Sequence, residues 1–284
     1  MCKRWSISGA EPGAQSGARL MASTRSVVWI TGASSGIGEA LAYRYARADA
    51  ALVLSSRRED ELRRVASGCP GVPVSIVPLD LGRPETMVDA AERAIELAGA
   101  VDVMVHNGGL SQRASAVETV YAVDDLMMRT NYLGPVALTK ALLPHMIARR
   151  RGHFVVVTSV LGRVGMPNRS SYCASKFALD GFFRALRLEV SPGGIDVTLV
   201  MPGFVRTNIA HNALTGNGRP AAADDPDIVK GMSPEACADR IFAAVSARRR
   251  DVYVGGMKEH AALLANRWAP RVLDSILQAR ARKK

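Results

Sequence analysis

The residues richest in chemistry are Ser170-Ser171-Tyr172-Cys173-Ala174-Ser175-Lys176, with a further hydroxyl upstream at Ser159. The stretch has the pattern of a helix start: Ser170 or Ser171 can cap it, and Phe177, Leu179 and Phe182 follow as apolar positions. Tyr172 and Lys176 are four residues apart, so on a helix they share one face, with Cβ atoms roughly 6 Å apart. A phenol, with an unperturbed pKa of about 10, is a poor proton donor near neutrality. A neighbouring ammonium favours the phenolate; lowering the pKa by about three units requires roughly 4 kcal/mol of differential interaction. Such a tyrosine becomes a usable general acid or base. Taken alone, Tyr-x-x-x-Lys also describes an ordinary amphipathic helix with a surface lysine, so its surroundings decide.

Those surroundings alternate strand and helix. Val27–Thr31 reads as a buried strand that runs into Gly32-Ala33-Ser34-Ser35-Gly36-Ile37-Gly38, and a helix with Leu41, Tyr45 and Ala48 on one side follows. Strand, glycine turn and helix together suit a pyrophosphate: the glycines let the backbone approach, and the helix N-terminus offers N–H groups and a favourable dipole. The next strand, Ala51–Ser55, ends in Ser56-Arg57-Arg58. An acidic residue here would bind the free ribose 2′-OH of NAD, whereas a basic one suits the 2′-phosphate of NADP. Glu59 comes later and begins a helix to Val65, so the reading is NADP(H), with Ser56 and Arg57 as phosphate contacts. Further strands are Val74–Leu79, leading to Asp80-Leu81; Val101–Val105, leading to His106-Asn107-Gly108-Gly109; Phe154–Ser159; Ile195–Val200, leading to Pro202-Gly203; and Asp251–Val254. Between them lie helices from Pro84 to Leu97, from Asp124 to Ile147 with Gly134-Pro135 interrupting its pattern, from Ser170 to Val190, and from Ser233-Pro234-Glu235 to Ala247.

The fold expected is a single Rossmann-type, doubly wound parallel sheet of about seven strands with helices on both faces, because continuously apolar strands alternate with helices. Ligands of such sheets sit beyond the carboxyl ends of the strands, where Gly32, Arg57, Asp80, Asn107, Ser159 and Pro202 all fall. The polar, small-residue-rich connection from Phe204 to Met232 reads as a substrate lid. Met166, Pro167, Phe204, Val205 and Ile209 are candidates for an apolar pocket, or simply for core.

The net charge of +11 is concentrated at the ends. Residues 1–26 carry Lys3, Arg4, Arg19 and Arg25 against Glu11 and read as a disordered basic extension; they hold no apolar core of a secretory signal. Residues 27–256 form the dinucleotide-binding and catalytic domain. Residues 257–284 read as a basic amphipathic helix that either packs on the domain or a partner subunit, or lies at a membrane surface. Basic residues are not interleaved with aromatics as a nucleic-acid site would require, and no apolar run reaches the roughly 18 residues of a membrane span. Cys2, Cys69, Cys173 and Cys237 are scattered, with no spacing that would suggest a zinc site, and fit a reducing compartment, the cytoplasm.

Together these residues resemble the short-chain dehydrogenase/reductase family over roughly Val27 to Gly256. Thr31-Gly32-x-x-x-Gly36-x-Gly38 is similar to its cofactor motif, His106-Asn107-Gly108-Gly109 to its Asn-Asn-Ala-Gly element with two positions replaced, and Asn131, Ser159, Tyr172 and Lys176 to its catalytic tetrad. Val28-Trp29-Ile30-Thr31, Leu54-Ser55-Ser56-Arg57-Arg58, Asn107 to Arg113 and Leu143-Pro144-His145-Met146-Ile147 further resemble the dehydrogenase/reductase member 7 branch. The resemblance implies cofactor contacts from Thr31, Gly32, Ser34, Ser35, Gly36, Ile37, Gly38, Ser56, Arg57, Asp80, Leu81, Asn107, Gly108, Tyr172, Lys176, Pro202, Gly203, Val205 and Thr207. It also implies that Tyr172 donates the proton, Ser159 holds the carbonyl oxygen, Lys176 binds the nicotinamide ribose and lowers the tyrosine pKa, and Asn131 holds a water linking Lys176 to solvent. The activity implied is NADPH-dependent reduction of a lipophilic carbonyl such as a steroid or retinoid, by a homo-oligomer (dimer or tetramer). Reduction of a 3-ketoacyl thioester is the enzymatic alternative, and a non-catalytic NADP(H)-binding sensor or scaffold is the alternative of a different class.

Overall fold

The computed structural model describes residues 25–281. Seven strands, β1 (Val27–Thr31), β2 (Ala51–Ser55), β3 (Val74–Ile76), β4 (Val103–His106), β5 (Gly152–Val157), β6 (Ile195–Pro202) and β7 (Asp251–Val254), form one sheet. Its order is β3-β2-β1-β4-β5-β6-β7 and every pairing is parallel. The chain winds outward from β1 through β2 to β3, and the crossover from β3 to β4 returns it to the other side of β1, so the crevice between the ends of β1 and β4 is the topological switch point where such sheets bind ligands.

Strand alternation sorts the core into two layers. Val28 and Ile30 pack with α1 (Gly36–Ala46), α2 (Glu59–Ser67) and α8 (Pro234–Ser246). Val27 and Trp29 face the other way, towards α3 (Met87–Ala98), α5 (Gly134–Arg149) and α6 (Ser170–Val190). Successive strand residues point to opposite faces, which is why near-continuous apolar strands need helices on both sides.

The boundaries differ from the sequence expectation where backbone pairing, not hydrophobicity, decides. The third strand stops at Ile76, although Val77 and Leu79 still donate to the Leu54 and Ser56 carbonyls; Pro78 sits between them, where on an edge segment its nitrogen faces away from β2. The fourth ends one residue later, with His106 paired to Val156, and the fifth runs from Gly152 to Val157, so Ser159 lies just beyond it. The helix expected from Asp124 starts earlier, as α4 (Tyr121–Met128), and continues through a π-helical turn (Arg129–Leu133) into α5. Gly134-Pro135 therefore does not interrupt it. A Cβ at Gly134 would lie 2.3 Å from the Leu81 carbonyl oxygen, so the glycine lets the helix meet the chain after β3. The first helix ends at Ala46, leaving Ala48 exposed.

The loop from Phe204 to Met232 contains one short helix, α7 (Pro226–Val229), and is tied down by bridges of Val205 to Met232 and of Leu214 to Gln112 and Pro220. Beyond β7 the chain forms two helices rather than one, α9 (Met257–Trp268) and α10 (Pro270–Ala281). Pro270, which lacks an N–H, begins the second. Leu273, Leu277, Ala262, Leu263 and Ala265 pack with Val160 and Val164 of the domain. Trp268, Val272 and Ile276 remain exposed. The expected N-terminal extension lies, up to residue 24, outside the described residues.

Candidate active site

The carboxyl ends of the strands bring the sequence-derived candidates together. At β1, Thr31 Oγ1 accepts the Asn107 and Gly108 backbone N–H groups, each at 3.1 Å, and donates to the Val105 carbonyl at 3.2 Å. The Asn107 side-chain amide donates to the Thr31 and Gly32 carbonyls at 3.1 and 3.3 Å. Thr31 and Asn107 thereby lock the glycine turn to the end of β4.

The turn itself depends on missing side chains. Gly32 and Gly36 have φ of +65° and +60°, the left-handed region that favours glycine. A Cβ on Gly38 would lie 2.2 Å from the Gly32 carbonyl oxygen, and one on Gly36 would lie 2.9 Å from Thr207 Cγ2. Ser35 precedes α1 without a side-chain cap, so the first N–H groups of the helix stay available at a positive dipole end. This cradle fits a pyrophosphate. Thr207, from the segment after β6, sits directly across from it.

The rim at β2 holds a residue that sequence reasoning missed. Arg58, not Arg57, reaches the turn: its Nη2 donates to the Ser34 and Ser35 hydroxyls at 3.1 and 3.2 Å. Arg57 is exposed at the same edge. The Ser56 hydroxyl accepts the Arg58 N–H at 3.1 Å. Asp80 Oδ1 accepts the Gly82 N–H at 2.9 Å, and Leu81 is buried.

On the other side of the crevice, Ser159 caps a short 3₁₀ turn (Val160–Gly162), its hydroxyl accepting the Leu161 N–H at 3.1 Å. The same hydroxyl interacts with the Tyr172 phenol and favours its ionised form. Neither serine at the start of α6 caps it. Arg169 is the N-cap residue and makes no such bond, while the Ser171 hydroxyl donates to Asp124 Oδ1 of α4. The buried face of α6 carries Tyr172, Ser175, Lys176, Leu179 and Phe183; Phe177 points to solvent and Phe182 is only partly covered.

Tyr172 and Lys176 do share one face, with Lys176 Nζ 5.9 Å from the ring centroid. The expected electrostatic effect does not follow. Burial holds the Tyr172 phenol above its ordinary range, outweighing the Ser159 hydroxyl and the Arg169 cation, which both pull it down. Burial also lowers the Lys176 ammonium to about 8, and its hydrogen bond goes to the Val157 carbonyl at 3.0 Å. Both groups lose their water, and desolvation penalises each charged form before one can stabilise the other.

Asn131 lies in the π turn. Its Oδ1 accepts the Leu110 N–H at 2.8 Å, and its Nδ2 donates to the Leu110 carbonyl at 2.9 Å and the Ser175 hydroxyl at 3.0 Å. The side chain thus ties the β4 loop to α6, with both of its amide protons engaged. Val205, expected at the cofactor, has its side chain in the core. Gly203 donates to the Val254 carbonyl at 2.9 Å, and Glu259 of α9 accepts the Phe204 N–H at 3.2 Å. Glu259 had no sequence signal, because its role depends on where the C-terminal helices dock. His106, where the family pattern has Asn, is fully buried and neutral, its pKa lowered to about 3 by burial, with Nε2 2.8 Å from the Thr139 hydroxyl.

The pattern described as short chain dehydrogenase matches residues 26–217, which include the glycine turn, Ser159, Tyr172 and Lys176. The chain belongs to the short-chain dehydrogenase/reductase family. It is 41% identical over 278 residues to dehydrogenase/reductase SDR family member 7B of Xenopus laevis, covering 95% of this chain and 85% of that protein. Its fold is similar to an alcohol dehydrogenase of Thermococcus sibiricus complexed with 5-hydroxy-NADP (TM-score 0.71, 28% identity, 81% of this chain and 96% of that one). A short-chain dehydrogenase/reductase of Burkholderia phymatum in complex with NAD is similar too (TM-score 0.75, 26% identity, 85% and 91%). The two similar structures thus hold different nucleotides, one a 5-hydroxy-NADP and the other NAD.

Proposed function

We propose that this short-chain dehydrogenase/reductase is an NADP(H)-dependent oxidoreductase that interconverts a lipophilic carbonyl and its alcohol, with Tyr172 as general acid and base. The observation that carries the reading is the meeting of Ser159 and Tyr172 from separate elements, with Lys176 on the same helix face, at the sheet's switch point. The glycine cradle and the free α1 N-terminus would hold the pyrophosphate, Arg57 and Arg58 the 2′-phosphate, and Lys176 the nicotinamide ribose. When bound, the nicotinamide supplies or accepts the hydride.

The side chains manage the proton and the charge. A phenol held above its ordinary range is protonated at neutral pH, so Tyr172 starts as a donor, which suits the reductive direction. The Ser159 hydroxyl donates to the carbonyl oxygen, a contact that strengthens as negative charge develops there. Proton loss from Tyr172 then leaves a buried phenolate whose charge the Ser159 hydroxyl and the Arg169 cation favour; with a pKa near 8, Lys176 is poised to exchange a proton at neutral pH.

Two further readings concern the whole chain. Exposed Trp268, Val272 and Ile276 beside Arg267 and Arg271 support a peripheral contact with an anionic membrane surface. The buried free cysteines Cys69, Cys173 and Cys237 support a reducing compartment such as the cytoplasm, and membership of the family supports a homo-oligomer.

The decisive experiment is Tyr172→Phe, assayed by NADPH absorbance against steroid, retinal and 3-ketoacyl-thioester substrates. Turnover is expected to fall by about three orders of magnitude with NADPH binding retained. Retained turnover would dispose of the proton role.

A further inference from the structure

Arg169, the residue that opens the Tyr172 helix, is where three separate segments meet. Its Nη1 donates to the Gln112 carbonyl at 2.9 Å and the Ser111 hydroxyl at 3.3 Å, both in the loop after β4. Its Nη2 donates to Asp225 Oδ2 at 3.3 Å, near the far end of the 204–232 loop. The two side chains of this pair are only 11% and 9% exposed. Asp225 also caps α7, accepting the Asp227 N–H at 3.0 Å, and lies 3.7 Å from Arg113 Nη2. Two guanidinium groups therefore share one carboxylate.

The middle of the same loop is fastened next to the phenol. Leu214 donates to the Ser111 carbonyl at 2.8 Å and accepts the Arg113 N–H at 2.7 Å. Its side chain packs in one cluster with Tyr172, Val123 and Met127. Asp225 and Leu214 thus anchor the loop near the segment Ser111–Arg113, and Arg169 joins that segment to the helix carrying Tyr172. Removing one member of a buried ion pair strands the other's charge, so the loop's closed position depends on both.

We propose that Arg169 is a positioning residue for the reaction: through Asp225 it holds the 204–232 loop against Tyr172, and it keeps a cation one helical turn before the phenol. This rests on Tyr172 being the acid–base group. The other charged or titratable groups around the phenol are Lys176 and Cys173 on α6, Asp124 on α4 through Ser171, and Arg113 and Asp225 behind Arg169; Ser159 faces it from beyond β5.

The two halves of the pair carry opposite charges, and that makes the role testable. Alcohol oxidation needs the phenolate, so its kcat rises with pH through the Tyr172 pKa. Arg169→Gln removes a cation and moves that midpoint up; Asp225→Asn removes an anion while keeping the cation and moves it down, each by about half a unit. Both variants are expected to raise the KM for the carbonyl by roughly tenfold, to leave NADPH binding unchanged, and to speed amide hydrogen exchange in residues 204–232. Arg169→Lys restores the midpoint but only part of the exchange protection, because an ammonium lacks the planar fork. Unchanged exchange in Asp225→Asn and Arg169→Lys, or midpoints of the two neutral variants that move together, would overturn the proposal. If Arg169→Gln does not fold, those two variants decide it by exchange. Should the unaltered protein turn over no carbonyl or alcohol, the oxidoreductase reading fails while hydrogen exchange still tests the latch.

Discussion

Lys176 carries most of the tension in the site. A buried ammonium with one carbonyl partner is destabilising, and its pKa of about 8 lies below the ordinary 10.5. A depressed lysine pKa means that the unfolded chain binds more protons than the folded one between these values, so stability rises with pH across that window. Lys176→Met should therefore raise the melting temperature at pH 7, and the gain should shrink by pH 9.5 as the parent protein sheds the proton; turnover should be lost at both. A constant gain would mean that the ammonium is not desolvated as described. The β2 edge makes a second residue-scale prediction. Arg57→Asp and Arg58→Asp should each weaken NADPH at least about tenfold while NADH changes little, since only the former carries the 2′-phosphate. Equal loss of both nucleotides in direct binding measurements would remove the assignment.

At the scale of elements, glycines separate positions where two backbones must touch from positions where the residue type is free. Gly38 lets α1 close on the Gly32 carbonyl, and a methyl group there has nowhere to go. Gly38→Ala should cost about 3 kcal/mol in denaturant unfolding and abolish nucleotide binding. Gly181, in the middle of α6, has nothing within 4 Å of the place its Cβ would occupy. Gly181→Ala should stabilise the protein by about 1 kcal/mol, the helix-propensity difference, without affecting turnover. Both effects having the same sign would contradict the packing of α1 on β1. The π turn at Arg129–Leu133 belongs to this scale too: it displaces Asn131 from the α-helical register, so that its amide serves Leu110 and Ser175 together.

Over the whole molecule, the C-terminal helices act on the site from outside the dinucleotide fold. Glu259 holds the Phe204 N–H at the segment after β6, and Leu273 closes over Val160 and Val164, next to Ser159. The opposite side of the same helices presents Trp268, which is 75% exposed. Flotation with anionic vesicles should show binding that the double substitution Trp268→Ser, Ile276→Ser removes without lowering the melting temperature. Leu273→Ser should instead lower stability. Binding that survives the double substitution would leave these helices with a packing role only. Among the described residues no helix is long and apolar enough to cross a membrane.

The doubly wound sheet could be read from the chain, because continuously apolar strands alternating with helices have few other ways to cover both faces, and so could the residues at the strand ends, because strand–turn–helix junctions are local. Thr31, Gly36, Asn107, Ser159, Tyr172 and Lys176 were legible for that reason. Packing in three dimensions set which arginine reaches the Ser34 and Ser35 hydroxyls, which way burial moves the Tyr172 and Lys176 pKa values, and how Arg169, Asp225 and Glu259 join segments distant in the chain. A pKa depends on the water a group loses, and a cross-chain contact on where two helices dock, and neither quantity is written in the spacing of residues along one segment.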